Sequence, residues 1–330
     1  MEPVHPVTIS DLLSVPKNER GPGWLRQALQ SAIELEHATL PPYLLAYWSI
    51  DEPRDNDVKK TVWRIMMDEM WHMGLACNLL TTIGGDPRIH HPQSVPRYPG
   101  PLPGGVRPWL SVVLAGFSKC QIERVFLEIE MPEKPLALMT DEEKTYPTIG
   151  MLYDDIREEL QELDPRLITG RRQIVSMNRR DLFAVRTKED AINAVDRIQR
   201  EGEGTHEHPY SDPKNKVLAH YYAFKQIFMG RELVQAGRRW VFAGKEIPFP
   251  KTHPVAPIPF GGYPQSEAFD KAYTAMLSLL HQAWNVDDGQ PHYGRAVGAM
   301  KGLNEMADKL VKTPREGDYG NYGPSFVFRG

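Results

Sequence analysis

The 330-residue chain is 41% hydrophobic and 25% charged, as expected for an ordinary globular protein. Its 39 Lys and Arg residues against 43 Asp and Glu give a net charge of -4, which excludes the basic surface typical of proteins that bind nucleic acid or anionic membranes. Two cysteines form no CxxC motif, and neither a signal peptide nor a membrane-spanning run is recognisable. We therefore expect a cytoplasmic protein with no nucleic-acid or membrane partner. A homo-oligomer is compatible with the sequence.

Helical periodicity dominates the chain. It predicts helices at about 22–50, 55–83, 108–131, 147–163, 187–203, 214–236, 267–285 and 291–312. Two long tracts rich in Pro and Gly, about 84–108 and 245–266, are expected to lie ordered and extended on the protein. The simplest architecture is a helical bundle within residues 1–236, followed by a loop-rich segment and two C-terminal helices, 237–330, packed on the same domain.

The first long helix contains an unexpected pair of prolines. Its apolar stripe includes Glu36, and Pro41 and Pro42 follow about a turn later. A proline inside a helix costs roughly 3 kcal/mol, because it removes a hydrogen bond and clashes with the preceding turn. We interpret the prolines as a kink that widens the bundle around a site, with the carbonyls freed near His37 and Ala38 bonded elsewhere.

The second long helix carries a Glu-x-x-His motif on its buried stripe. Glu69 and His72 align with apolar positions, whereas Glu34 of the first helix and Asp68 follow polar positions and are expected to face water. An ionised carboxylate inside an apolar core is costly unless it is paired or bound to a metal. Bundles that bind two metal ions use one Glu from each of two helices and Glu-x-x-His from two others. Together with Glu36, this motif matches half of that set.

The spacing leaves several alternatives open. A buried Glu–His or Glu–Arg pair would also satisfy these groups without a metal. Glu123 and Glu130 both flank the stripe of the third predicted helix. Further on, Glu203 and His206 form another Glu-x-x-His, but neighbouring glycines and a proline argue against a continuous helix. His220 faces a core instead, so His206 has the better spacing and His220 the better burial.

A set of motifs relates the chain to a known family. They are, in order, "AIELEHATLPPYLLAYWSI", "DEMWHMGLACNLLTTIGGDP", "YPGPLPGG", "FLEIEMPE", "PTIGMLYDDI", "EGEGT", "AHYYAF" and "GPSFVF". With these motifs the chain resembles the ferritin-like family of iminophenyl-pyruvate dimer synthases, relatives of the N-terminal region of large enzymes in the violacein and rebeccamycin pathways. The resemblance implies an all-α fold, a ferritin-like four-helix bundle with long loops and extra C-terminal helices.

The resemblance also implies a metal pair and an oxidative function. The metal is expected to be iron, two ions per chain, with manganese as the alternative. The partners would be dioxygen and a small organic substrate such as an amino acid or its imine, oxidised or coupled in secondary metabolism. Met151 stands where the family pattern has an acidic residue. The family motifs place the ligands, with Tyr43 close by, at Glu36, Glu69, His72, Glu130, Glu203 and His220.

Two other classes of function remain alternatives. One is iron storage or ferroxidation without an organic substrate, and the other is a ferritin-like binding protein that has lost its metal. Aromatic and methionine residues near the expected site could line an apolar pocket, although packing in the core is the more typical role of such residues. These residues are Trp48, Trp63, Met66, Met70, Trp71 and Met73.

Overall fold

Helices make up most of the described chain, which confirms the all-α class. The computed structural model describes residues 8–132, 148–178, 181–203, 208–317 and 319–330. The helices are α1 (Ile9–Ser14), α2 (Pro22–Ser49), α3 (Asp57–Thr82), α4 (Lys119–Gln121), α5 (Leu127–Ile129), α6 (Ile149–Glu162), α7 (Lys188–Glu203), α8 (His220–Met229), α9 (Glu267–Asn285) and α10 (Gln290–Val311). Within these residues, no helix has the length and apolarity that crossing a membrane requires.

Helix α2 runs without interruption through both prolines. It begins at Pro22, where a missing N–H costs nothing because the first turn has no intrahelical acceptor for it. Pro42 has no N–H to give to the carbonyl of Ala38, and the hydroxyl of Tyr98 donates to that oxygen instead at 2.7 Å. The expected rerouting of a freed carbonyl is therefore confirmed at Ala38.

The bundle is built around the α2–α3 pair. The side chain of Asn56 accepts hydrogen bonds from two backbone N–H groups and so begins α3, which then packs along α2. Helices α6 and α7 pack on each other, and α6 also packs on α2 and α7 on α3. Helix α8 contacts α3, α5 and α7. Helices α9 and α10 pair and contact α3 and α2 from another side. Buried apolar residues from all of these helices belong to one continuous cluster.

The third predicted helix, 108–131, is wrong over its first half. Helix α4 begins only at Lys119, where the hydroxyl of Ser118 caps it. Upstream the chain is extended, and Val112 pairs with Gly100 through two backbone hydrogen bonds. The run of β-branched residues after a proline favours that conformation. Between α4 and α5 the helix continues as a π-helical turn, Ile122–Phe126.

The predicted helix 214–236 is also wrong at both ends. Two strands, β1 (Tyr210–Asp212) and β2 (Val217–Leu218), pair before α8 begins at His220. Gly230, with φ +69°, ends α8 in the left-handed conformation that glycine adopts without steric cost. A hairpin of β3 (Arg231–Ala236) and β4 (Arg239–Glu246) follows, turning at Gly237 with φ +64°. The β-branched and aromatic residues of β4, Trp240, Val241 and Phe242, favour a strand.

Candidate metal centre

Five of the six predicted ligands lie together inside the bundle. Each side chain is buried, and four elements supply them. They fall into two groups, Glu36–Glu69–His72 and Glu69–Glu130–His220, and within each group one ligand atom per residue lies within 4.8 Å of the others. Glu69 belongs to both groups, so its carboxylate lies between two candidate metal positions. His220 is the first residue of α8, and Glu130 directly follows α5. Because α5 and α8 are in contact, these two side chains come close together.

The sixth predicted ligand cannot be placed. Glu203 is the last residue of α7, and its side chain lies outside the described residues, as does His206. The residue three before His220 is Val217, so α8 carries no second Glu-x-x-His motif. Glu203 therefore stays a prediction, whereas His220 is brought into the cluster.

The two histidines have the same arrangement. In His72, Nε2 lies 2.8 Å from Oε2 of Glu201, and Nδ1 faces Glu36 and Glu69 at 3.7 and 3.6 Å. In His220, Nε2 lies 3.2 Å from Oδ2 of Asp68. Its Nδ1 faces Glu69 at 2.9 Å and a second glutamate, Glu130, at 3.5 Å. Metal-binding histidines are usually held by such an outer carboxylate on the ring nitrogen that does not bind the metal.

An arginine accompanies each outer carboxylate. Arg64 donates to Asp68 at 3.0 Å, and Arg197 donates to Glu201 at 3.0 Å, each pair spaced four residues apart on its helix. The expectation that Asp68 faces water is wrong, because α8 packs His220 against it and leaves the residue 7% exposed. Both outer carboxylates, Asp68 and Glu201, line one open groove together with Arg64.

One hydroxyl group fixes each inner carboxylate. Thr39 donates to Oε2 of Glu69 at 2.7 Å, and Tyr43 donates to Oε1 of Glu130 at 2.5 Å. The hydroxyl of Tyr153 donates to Oε1 of Glu36. Of these three hydroxyl residues, only Tyr43 was placed near the site from the sequence. Tyr153 belongs to the family motif "PTIGMLYDDI", which was the available signal for it. Met151, the departure from the family pattern in the same motif, is exposed.

The inner carboxylates are short of positive charge. Within the described residues, the ionic partners of Glu36, Glu69 and Glu130 are the two histidines alone. Burial raises the pKa of Glu36 to about 7, although His72 opposes the shift. Burial would also raise the pKa of Glu69, but the charges of the two nearby histidines outweigh it and hold that pKa below its ordinary value.

The histidines respond in the opposite direction. Burial alone would lower the pKa of His72, yet the hydrogen bond with Glu201 and the negative charges of Glu36 and Glu69 outweigh it and raise that pKa well above its usual range. The same balance raises the pKa of His220. Both rings are therefore drawn toward the cationic form by the carboxylates around them. Metal ions compete with protons for such sites, because imidazole and carboxylate ligands must be deprotonated to bind them.

The cluster fits a metal ion better than it fits an ion pair. Nδ1 of His220 is fully buried and has no hydrogen-bond partner, although Oε1 of Glu69 is only 2.9 Å away. The two atoms are too poorly aligned for an N–H to donate to that oxygen, so a paired histidine and glutamate would leave the donor unsatisfied. A cation between them would satisfy both lone pairs. Imidazole and carboxylate donors together suit iron, manganese or zinc.

A small cavity adjoins the inner cluster. Its volume is about 50 Å³, and Glu36, Glu130, Tyr153 and Arg107 are among its lining residues. One water molecule requires about 10–15 Å³ by a comparable measure, so the cavity has room for dioxygen or a few waters. Arg107 is 3% exposed and donates from Nη2 to the carbonyl of Met131 at 2.8 Å, which fixes the backbone next to Glu130.

Comparison with known proteins places the chain among ferritin-like proteins. The Ferritin-like family model matches residues 29–229. Dichlorochromopyrrolate synthase from Lentzea aerocolonigenes is 24% identical over 83% of this chain, which spans only 30% of that protein's length. A crystal structure of a ferritin-like protein from Caulobacter vibrioides superposes with a TM-score of 0.65 at 20% identity, covering 92% of this chain and 97% of that one. These matches confirm the resemblance drawn from the motifs at the level of a ferritin-like relative of such enzymes.

Proposed function

Because the chain belongs to the Ferritin-like family, we propose that it is a metal-dependent oxidase or oxygenase that acts on a small organic substrate. The proposal rests above all on Glu69, whose carboxylate belongs to both three-residue groups. A shared carboxylate is the arrangement expected for two neighbouring metal ions rather than for one. We propose iron as the metal, with two ions per chain and manganese as the alternative.

The ligands proposed for the metals come from residues that are already held in place. Glu36 and His72 would serve one ion, Glu130 and His220 the other, and Glu69 both. Iron held there would supply the electrons and the open coordination positions that dioxygen chemistry requires. Glu203 is proposed as a further ligand from the family motif alone.

The surrounding residues would keep the ligands ready to bind. Asp68 and Glu201 hold the histidines so that each Nδ1 faces the inner carboxylates. Tyr43 is proposed to take part in the reaction through Glu130, because its hydroxyl donates to that carboxylate. The hydrogen bond keeps one carboxylate oxygen turned away from the metal position, which leaves the other oxygen as the ligand.

An organic substrate is supported by the relationship to a synthase of an organic compound, dichlorochromopyrrolate. Since this chain spans 30% of that enzyme, the reaction of the whole enzyme is not transferred to it. We propose an amino acid or its imine as the substrate class. Within the described residues the cavity beside the ligands is too small for such a molecule, so its volume favours dioxygen or water there.

The test begins with metal loading. The protein is freed of metal, incubated anaerobically with ferrous iron, desalted and analysed by mass spectrometry. We expect close to two irons per chain, followed by oxygen-dependent oxidation of the iron and oxygen consumption that increases with amino acids or their imines. Less than about half an equivalent of any transition metal would contradict the proposal and favour a metal-free binding protein. Mineral growth beyond two irons per chain, with no response to organic substrates, would favour storage.

A further inference from the structure

A second, much larger cavity lies on another face of the α2–α3 pair. It has a volume of about 490 Å³ and lies between these helices and the α9–α10 pair. On α3, Met66, Met70 and Met73 line it, whereas Glu69 and His72 face the metal cluster. None of the five ligands lines this cavity, and it shares no lining residue with the small cavity beside the metal cluster. The larger cavity and the candidate metal centre are therefore separate sites on the α2–α3 pair.

The cavity is lined mainly by methionine and aromatic side chains. Seven of the 13 methionines and four of the seven tryptophans line it, which is far more than an even distribution over the core would give. Its tryptophans are Trp48, Trp63, Trp71 and Trp284. Among the described lining residues only Asp181 and Lys301 carry a formal charge. Flexible methionines let an apolar pocket adapt to its ligand. The six residues for which core packing was the more typical expectation thus line an apolar pocket.

One polar group stands out in the wall. Nε2 of His37 lies 2.6 Å from the hydroxyl of Tyr273, and both residues line the cavity. A phenolic oxygen has two lone pairs and one O–H, so a single hydrogen bond with His37 uses at most one lone pair of Tyr273. The hydroxyl oxygen of Tyr273 then keeps lone-pair capacity for an incoming donor. The indole N–H groups of Trp48 and Trp284 are already bonded to asparagine side chains.

We infer that this cavity binds a small, uncharged aromatic molecule that carries one hydrogen-bond donor. Its volume lies within the 300–1,000 Å³ typical of small-molecule sites, which are apolar with a few well-placed polar groups. Three walls enclose it, from α2, α3 and α9–α10, and its floor includes buried Tyr273 and Trp284. A flat docking face would lack such a floor. The side chains of Trp63 and Val297, which are 42% and 40% exposed, lie at the entrance.

Binding of indole to the purified chain provides the test. Indole is aromatic and uncharged and has one N–H donor, and indene is a matched probe of the same shape without the donor. Titration calorimetry should give one indole site per chain with a Kd on the order of 0.1 mM and a negative heat-capacity change. Tyr273→Phe should weaken indole binding about three- to tenfold, the range expected for one hydrogen bond, and leave indene binding unchanged.

A cavity-filling variant identifies the site. Met300→Trp should abolish indole binding, while Met306→Trp, on the same helix but outside the cavity, should leave it unchanged. Val297→Trp at the exposed entrance is a second blocking variant if the first unfolds, which thermal unfolding detects. Removal of metal with a chelator should alter the Kd less than about twofold, because none of the proposed metal ligands lines the cavity.

Three results would overturn the inference. The first is the absence of indole binding to the unmodified chain. The second is equal indole binding by the chain and by a folded Met300→Trp variant. The third is concentration-dependent dimerisation that Met300→Trp abolishes while neither probe binds, which would identify the groove as a contact between copies of the chain.

Discussion

Two faces of the same helices place opposite demands on their side chains. The inward face of α2 and α3 carries Glu36, Glu69 and His72, and each has a specific partner on an identified atom. The other face lines the 490 Å³ cavity, where methionines and tryptophans dominate and contacts are not directional. The difference shows why a buried polar cluster needs several helices and loops to supply a hydrogen-bond partner for each of its polar atoms. A buried polar atom without a partner is costly, whereas an apolar wall tolerates adjustment.

The largest expected effect is the loss of Glu69. Glu69→Ala removes the one carboxylate that belongs to both ligand groups. Metal content after reconstitution should therefore fall from about two equivalents per chain to less than about half of one. Glu69→Gln keeps the shape and removes the charge, and it should give a similar loss in a folded protein. Glu34→Ala, on the outer side of α2, is the control and should load normally. Metal content unchanged in the glutamine variant would refute the proposed centre.

Removal of the metal should come next in size. Without a metal ion, the two histidines are the ionic partners of the inner carboxylates among the described residues. A ligand present at about 1,000 times its Kd contributes roughly 4 kcal/mol to the folded state. Chelation should therefore lower the melting temperature by on the order of 5–10 °C. Calorimetry with and without a chelator measures the shift. The Glu69→Gln variant should show no shift, and an equal shift in both proteins would indicate that the chelator acts elsewhere.

The outer carboxylates should have smaller effects. Asp68→Asn and Glu201→Gln each weaken the hold on one histidine, and such changes typically reduce metal affinity about 10- to 100-fold. Asp68→Asn should weaken mainly the position served by His220, and Glu201→Gln the position served by His72. Competition titrations with a chromogenic chelator measure both. Asp212→Asn is the matched control, because Asp212 lines the same groove and has no histidine partner among the described residues.

The long helices could be predicted well because their apolar stripes extend over many turns. The predicted helix at 267–285 coincides with α9 (Glu267–Asn285). Short elements could not be predicted in this way. A π-helical turn depends on tertiary contacts, and the β3–β4 hairpin follows a helix so closely that two periods overlap in one window.

The inner ligands were accessible to the sequence and their outer partners were not. Glu36, Glu69 and His72 stand out because a charge on an apolar stripe breaks the pattern. Asp68 gave no such signal, since its own helix places it beside polar residues and only the packing of α8 buries it. A residue held by a second element cannot be recognised from the periodicity of the first. The roles of the outer carboxylates could therefore be recognised only from the structure.

Tyr43 should influence reactivity more than assembly. Tyr43→Phe removes the hydrogen bond to Glu130 and should reduce the free energy of unfolding by about 1 kcal/mol, the usual net value of one hydrogen bond. Metal content should stay near two per chain, while oxygen-dependent oxidation of bound iron slows. Stopped-flow absorbance follows the rate. Tyr47→Phe, on a half-buried residue that contacts Trp63, should change neither quantity. A rate unchanged in Tyr43→Phe would remove the tyrosine from the proposed reaction.

The smallest expected effect concerns the apolar face. Trp63→Ala removes a ring that is 42% exposed, contacts Tyr47 at a centroid distance of 5.1 Å and makes no hydrogen bond within the described residues. The free energy of unfolding should fall by less than about 1 kcal/mol, as is usual for partly exposed side chains. Trp109→Ala, 54% exposed and outside the cavity, should behave alike. Chemical denaturation measures both. A loss above about 2 kcal/mol in Trp63→Ala alone would mean that the apolar wall is as closely specified as the metal-facing one, and the contrast between the two faces would then fail.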